Sequence, residues 1–270
     1  PVKDIREMAV VFEIPSTRNM YESKPGRQFA SMLGYEGKGS LLSYLKSKGW
    51  AISLAAYTRQ ETKEIGYAYV NVGLTEEGLN EYRNVLKSVF GYIKLMKQSG
   101  YQRHVFDELK SMASLDEIYS SKGEGMGRAI GLANDAMMYP IEDVGRINYI
   151  YRDNSPETYN QLLADISIDK MIVMLSAKEL ETDQEEHFFK VNYSYEEDFD
   201  LYFQLKDAEV RDEFAIAEAN PFIPSKASIP NRELNDSILP KKVNSGDGSS
   251  LYFGQDHEFL RPKGVISLKF

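Results

Sequence analysis

Leu33-Gly34-Tyr35-Glu36-Gly37-Lys38-Gly39-Ser40-Leu41-Leu42-Ser43-Tyr44-Leu45-Lys46-Ser47-Lys48-Gly49-Trp50 reads as a glycine-hinged loop that feeds a short amphipathic helix. Gly34, Gly37 and Gly39 interrupt regular structure, and Ser40 is placed to cap the helix that follows, its hydroxyl accepting from a free amide of the first turn. Leu41, Leu42 and Leu45 form the apolar stripe, Ser43, Lys46 and Lys48 face out, and Gly49 is a natural stop.

Upstream, Phe29, Met32 and Leu33 give one apolar side to a helix opening near Pro25, a residue suited to a first turn. Before it, Met8, Val10, Phe12 and Ile14 alternate with Ala9, Val11 and Glu13, a period-two strand ended by Pro15. Downstream, Trp50, Ile52, Leu54 and Ala56 alternate. So do Ala68, Val70, Val72 and Leu74, with Ile65, Tyr67 and Tyr69 on the opposite face, and the two runs pair as antiparallel strands. Thr75-Glu76-Glu77 starts a long helix, a capping hydroxyl followed by carboxylates at the positive end of the helix dipole. Leu79, Tyr82, Leu86, Val89, Phe90 and Ile93 line its buried side.

Further helices fit Gln102 to Tyr119, burying Val105, Phe106, Leu109, Met112 and Ala113, then Gly125 to Met138 and Pro156 to Ala164. Met171-Ile172-Val173-Met174-Leu175 suits a central strand buried on both faces. This order predicts an α+β two-layer domain over residues 1–217, a mixed or antiparallel sheet with helices on one face. After Ala217, Pro221, Pro224, Pro230 and Pro240 and then Asn244-Ser245-Gly246-Asp247-Gly248-Ser249-Ser250 mark an extended inter-domain linker over 218–250. Leu251-Tyr252-Phe253 and 265–270 read as opening strands of a following, truncated domain at 251–270. Both ends are expected to lie inside a longer chain, because natural termini are usually polar and frayed.

The 270 residues carry 32 basic and 41 acidic side chains, a net charge of -9. That balance argues against wrapping nucleic acid or an anionic membrane. No apolar run approaches the roughly 20 residues of a membrane span. With no cysteine there is no thiolate nucleophile, disulfide or Cys-type zinc site. The absence suits a reducing compartment, with the cytoplasm as the expectation.

The motifs for chemistry are thin. His104, His187 and His257 are too far apart for the paired histidines of a zinc helix. No Gly-x-Ser-x-Gly turn appears, and Gly37-Lys38-Gly39-Ser40 lacks the spacer of a phosphate loop. The acidic runs Glu185-Glu186 and Glu196-Glu197-Asp198 do not have calcium-loop spacing. No catalytic residue and no metal site is assigned to this chain.

The pattern Gly34-Tyr35-Glu36-Gly37-Lys38-Gly39-Ser40-Leu41-Leu42 followed by Leu45-Lys46-Ser47-Lys48-Gly49-Trp50 closely resembles a segment of the insulysin-type (insulinase-like) zinc metallopeptidases. Their version runs Gly-His-Glu-Gly-Pro-Gly-Ser-Leu-Leu and ends Leu-Lys-x-Lys-Gly-Trp. Lys3-Asp4-Ile5-Arg6, Val72-Gly73-Leu74-Thr75-Glu76-Glu77-Gly78-Leu79 and Asn220-Pro221-Phe222-Ile223-Pro224 extend the resemblance over nearly the whole chain. It implies the family's second, non-catalytic domain and the entry to the third. In that family, four homologous α+β domains close over a peptide, and the zinc helix belongs to the first domain. The resemblance therefore implies zinc in the parent enzyme, no cofactor in this chain, and two partners: the preceding catalytic domain and a peptide substrate. It also implies a peptide-anchoring exosite at Gly34, Glu36, Leu54, Ala55 and Ala56. The family's paired glycines on that strand fall at Ala56 and Tyr57, and its preceding histidines fall at Arg27 and Ser31. The competing expectations are a scaffold member of the superfamily without zinc, and an unrelated peptide-binding interaction domain.

Overall fold

The computed structural model describes residues 5–119, 125–224, 239–246, 248–255 and 265–269. In chain order the elements are β1 (Glu7–Pro15), α1 (Pro25–Leu33), α2 (Leu41–Ser47), β2 (Ala51–Gln60), β3 (Ile65–Leu74), α3 (Glu76–Asn80) and α4 (Tyr82–Ser99). There follow α5 (Arg103–Tyr119), α6 (Gly125–Met138), α7 (Pro156–Asp165), β4 (Met171–Ser176), β5 (Gln184–Glu185), β6 (Asn192–Tyr193), α8 (Phe199–Lys206), β7 (Lys241–Gly246) and β8 (Ser249–Phe253).

Four strands form an antiparallel sheet in the order β2-β3-β1-β4. Period-two patterning sorts its faces. Met8, Val10, Phe12 and Ile14 of β1 and Ala68, Val70 and Val72 of β3 are fully or almost fully buried and share one core with side chains of α1, α2, α4, α7 and α8. This is the α+β two-layer arrangement expected from the sequence. Residues of the later chain join the same core: Tyr159, Leu162 and Leu163 of α7, Leu201 and Leu205 of α8, and Phe214. Each large apolar side chain so buried contributes about 1.5–3 kcal/mol relative to exposure.

The turn before α1 is tied to the segment before α7. Asp143 is buried and accepts from the Arg152 guanidinium and, at 2.8 Å, from the Tyr21 hydroxyl. Arg152 also pairs with Glu22 at 2.7 Å and holds the Asp143 carboxyl below its usual range. Lys24, in the left-handed region at φ 47°, donates to the Ile147 carbonyl at 2.5 Å. Its ammonium lies 5.4 Å from the centre of the Tyr151 ring, and burial lowers its pKa to about 8.

Several expectations need correction. The strand at 171–176 is not central but the outer strand opposite β2, and Ile172 and Met174 are exposed because, among the described residues, nothing covers that face. A bulge between Ala51 and Ser53 breaks the alternation there and turns Ile52 out to 65% exposure. Met112 points outward at 41% rather than into the core. The helix expected from Thr75 onward is two helices separated at Glu81, where the backbone leaves helical geometry at ψ 17°. Residues 241–246 and 249–253 pair as antiparallel strands, β7 with β8, so a strand stands at 241–246 within the stretch read as linker. Residues 265–269 have no regular structure and expose Val265, Ile266 and Leu268. His257 and the whole of 225–238 fall outside the described residues.

Candidate functional site

The glycine loop is held from behind. Gly34 ends α1, its N–H donating to the Ala30 carbonyl at 2.9 Å, and a Cβ there would lie 2.8 Å from that oxygen. Gly39 has φ +83°, a conformation that L side chains rarely adopt, and its carbonyl accepts from the Ala215 amide at 2.9 Å. Ser40 is fully buried and caps α2 as expected, accepting from the Ser43 amide at 3.0 Å. Beneath the loop, Phe214 packs edge-to-face against Tyr44 and Tyr92, and the Tyr92 hydroxyl donates to the Ala215 carbonyl at 3.1 Å. Burial raises the Tyr92 pKa to about 12, so the hydroxyl stays a donor across the ordinary pH range. The role of Phe214 and Ala215 as the loop's backing had no signal in the sequence. One is a generic apolar residue, the other acts through its backbone, and both lie about 175 residues downstream of the loop.

The Lys46-to-Trp50 ending is locked just as firmly. The Thr75 hydroxyl donates to the Gly49 carbonyl at 2.6 Å and accepts from the Gly78 amide at 2.9 Å. The Thr75 amide donates to the Trp50 carbonyl at 3.1 Å. A Cβ on Gly78 would sit 1.8 Å from that same carbonyl oxygen, so only glycine allows α3 to approach so closely. These contacts fix where β2 begins.

The expected site residues are thereby placed. Gly34 and Glu36 lie in the loop between α1 and α2, and both of these helices pack against β2. Glu36 is exposed and has no hydrogen-bond or ion-pair partner among the described residues. Leu54 is 8% exposed with its side chain in the core, which leaves its backbone to serve the strand edge. Ala55 is exposed on the helix-free face and Ala56 is half-buried. β2 is one of the sheet's two outer strands. Among the described residues, no main-chain hydrogen bond beyond its ladder with β3 involves residues 51–60.

The acidic runs have local roles. The Glu186 carboxylate accepts from the amides of Phe188 and Phe189 at 2.7 and 2.6 Å, and Glu185 pairs with Lys190 at 3.2 Å. Asp198 caps α8 and pairs with Arg83. His104 contacts the Ala217 carbonyl at 3.0 Å. Among the described residues, no group of three or more His, Cys, Asp or Glu side chains is arranged to hold a metal ion.

Two family models match. Residues 1–113 match the "Peptidase M16 inactive domain", and residues 118–270 match the "Middle or third domain of peptidase_M16". The chain belongs to the M16 peptidase family. This M16 chain is 30% identical over 273 residues to the insulin-degrading enzymes of Bos taurus and Homo sapiens, and 27% identical over 277 residues to the A-factor-processing enzyme of Saccharomyces cerevisiae. In each case the match takes in the whole of this chain and 27% of the relative's length. The crystal structure of pitrilysin has the same fold, with a TM-score of 0.83 at 18% identity, covering 96% of this chain and 28% of that one. The M16 chain thus corresponds to the inactive and the middle or third domains of the family, and it spans about 27% of the length of these curated relatives.

Proposed function

We propose that this chain forms part of the wall of a closed peptidase chamber and anchors a peptide substrate along the outer edge of β2. The carrying observation is the conjunction of an outer strand that, among the described residues, has no further main-chain partner and an adjoining, rigidly backed loop that presents Glu36, a carboxylate unpaired among those same residues. An extended peptide adds to such an edge through backbone hydrogen bonds. Glu36 attracts its N-terminal ammonium, and the backbone of Gly34, Leu54, Ala55 and Ala56 supplies the docking line. The zinc and the catalytic residues belong to the preceding domain of the parent, in keeping with the "inactive domain" match and with the missing paired-histidine helix. Residues 1–217 act as the folded unit, and 218–250, which include the first strand of the β7–β8 pair and the start of its second, lead into the following domain that 251–270 open. The net charge of -9 does not favour nucleic acid or an anionic membrane as partner.

Hydrogen exchange on the 270-residue chain tests this reading, with and without an unstructured peptide bearing a free N-terminus. Amides of residues 52–58 slow on peptide addition, while those of the opposite edge strand, β4, do not change. Acetylating the peptide, or substituting Glu36→Gln, weakens binding by up to about fivefold, the size of an exposed ion pair. Protection at β4 alone, or none at saturating peptide, refutes the assignment.

A further inference from the structure

On the helix-free face of the sheet, β2 presents Ala55, Tyr57 and Arg59, paired with Asn71, Tyr69 and Tyr67 of β3. Tyr57 and Tyr69 are stacked, ring centroids 4.7 Å apart and planes within 12°, and Tyr67 adds an edge contact to Tyr69. A separation of 4.7 Å is the spacing of neighbouring strands, about 4.7–4.9 Å. The two rings are therefore consecutive rungs of an aromatic ladder running across the sheet toward its β2 edge. One face of Tyr57 lies against Tyr69. The other points past the sheet edge, Tyr57 remains 41% exposed, and among the described residues Tyr69 is its one ring contact. The next rung falls on whatever strand is added to β2.

We infer that Tyr57 makes this edge selective for peptides carrying an aromatic side chain at the position that comes into register with it. The inference rests on β2 being the peptide-anchoring edge, and it names the class of peptide that the edge prefers. A ring at that position continues the stack at strand spacing. Ala55, two residues away on the same face, leaves room for the ring to settle, and Arg59, whose guanidinium pairs with Glu61 at 3.4 Å, flanks it on the other side. A peptide aligned one residue out of register turns its aromatic side chain to the core face, where the half-buried Ala56 and the buried Leu54 lie and no stack is available. The preference is therefore positional, and it alternates with the pleat.

The test uses free-amine decapeptides of Ser, Thr and Asn, each carrying a single Tyr or a single Ala at one position in turn. Binding to the 270-residue chain is measured by calorimetry, and the strand engaged is read from amide exchange at residues 52–58. The expected result is a Tyr-over-Ala ratio of about 3- to 10-fold, the range of an aromatic pair, at one position or at positions two apart. Tyr57→Ala brings the ratio to near one, and Tyr57→Phe retains it, which separates stacking from loss of fold. Peptides that protect β2 without any positional ratio, or with a ratio that survives Tyr57→Ala, overturn the selectivity and leave the anchoring edge standing. Peptides that fail to protect β2 overturn the anchoring edge and the selectivity together.

Discussion

Helices α4 and α6 are both amphipathic in sequence, yet they end in opposite circumstances. α4 buries nine of its 18 residues, among them Val85, Leu86, Val89, Tyr92 and Met96, which are completely inaccessible. α6 buries none of its 14, and Met126 and Met137 stand 78% and 81% exposed. Helical periodicity says which side of a helix is apolar. It does not say whether anything covers that side, because the covering element is a non-local fact. α4 lies beneath the sheet and receives Phe214 from far along the chain. The described contacts of α6 are to the segment that follows it, where Asp135 accepts from the Gly145 amide at 3.2 Å.

The largest expected difference comes from truncating an apolar residue on each helix. Leu86→Ala removes a fully buried side chain and leaves a cavity, at a cost of about 2–5 kcal/mol. Ile130→Ala, at a site 55% exposed, changes stability by no more than about 0.5 kcal/mol. Urea unfolding of the two variants measures both. A loss at Ile130 comparable with that at Leu86 breaks the comparison and shows that α6 is covered in solution.

A second measure of cover is pH. Lys24 is largely desolvated beneath the 147–151 segment, with Arg27 as its nearby like charge, and its pKa falls to about 8 against about 10.4 in the unfolded chain. Between those values the unfolded chain binds more protons, so stability rises with pH; below about 8 the burial penalty is fully present. The rise amounts to no more than about 3 kcal/mol at ~1.4 kcal/mol per pKa unit, and to less than that because the side chain keeps some solvent. Lys24→Met removes this contribution. Urea midpoints of both proteins at pH 7.5, 8.5 and 9.5 resolve it, because the difference between the two profiles cancels the tyrosine ionisation that begins in the unfolded chain below its usual pKa of about 10. Parallel profiles for the two proteins show that Lys24 is solvated.

The same division between local and non-local information explains what the sequence revealed. Caps at Ser40 and Thr75, the stop at Gly49, and the alternation in β1 and β3 are encoded within a few residues, and all of them are present. The position of β4 at the sheet edge was not legible, because a run of five apolar residues fits a buried strand equally well and only the sheet order decides. The bulge at Ala51 and Ser53 escaped for a related reason, since Gly73, across the ladder, leaves room for both Ile52 and Ser53 on one face. At the candidate site, the glycine loop and the strand that follows it could be located from sequence. The stacked pair could not, because Tyr57 and Tyr69 become neighbours only through the β2–β3 register.

The smallest effect distinguishes the two helices by sign. In α4 a Cβ on Gly91 would lie 2.4 Å from the Glu209 carbonyl oxygen. That oxygen is backbone and cannot swing aside, so Gly91→Ala forces the 208–214 segment outward and costs about 1–3 kcal/mol. In α6, Gly127 has open space around its Cα and no positive φ. Gly127→Ala meets nothing there and reduces the backbone freedom of the unfolded chain, so it stabilises by about 0.5–1 kcal/mol. The substitution is chemically identical at both positions, so helix propensity cancels in the comparison and the remaining difference reports the cover over each helix. A stabilising Gly91→Ala shows that the 208–214 segment is not seated on α4 in solution. A destabilising Gly127→Ala shows a surface packed against α6, and sedimentation at several concentrations then identifies whether that surface is a second copy of the chain.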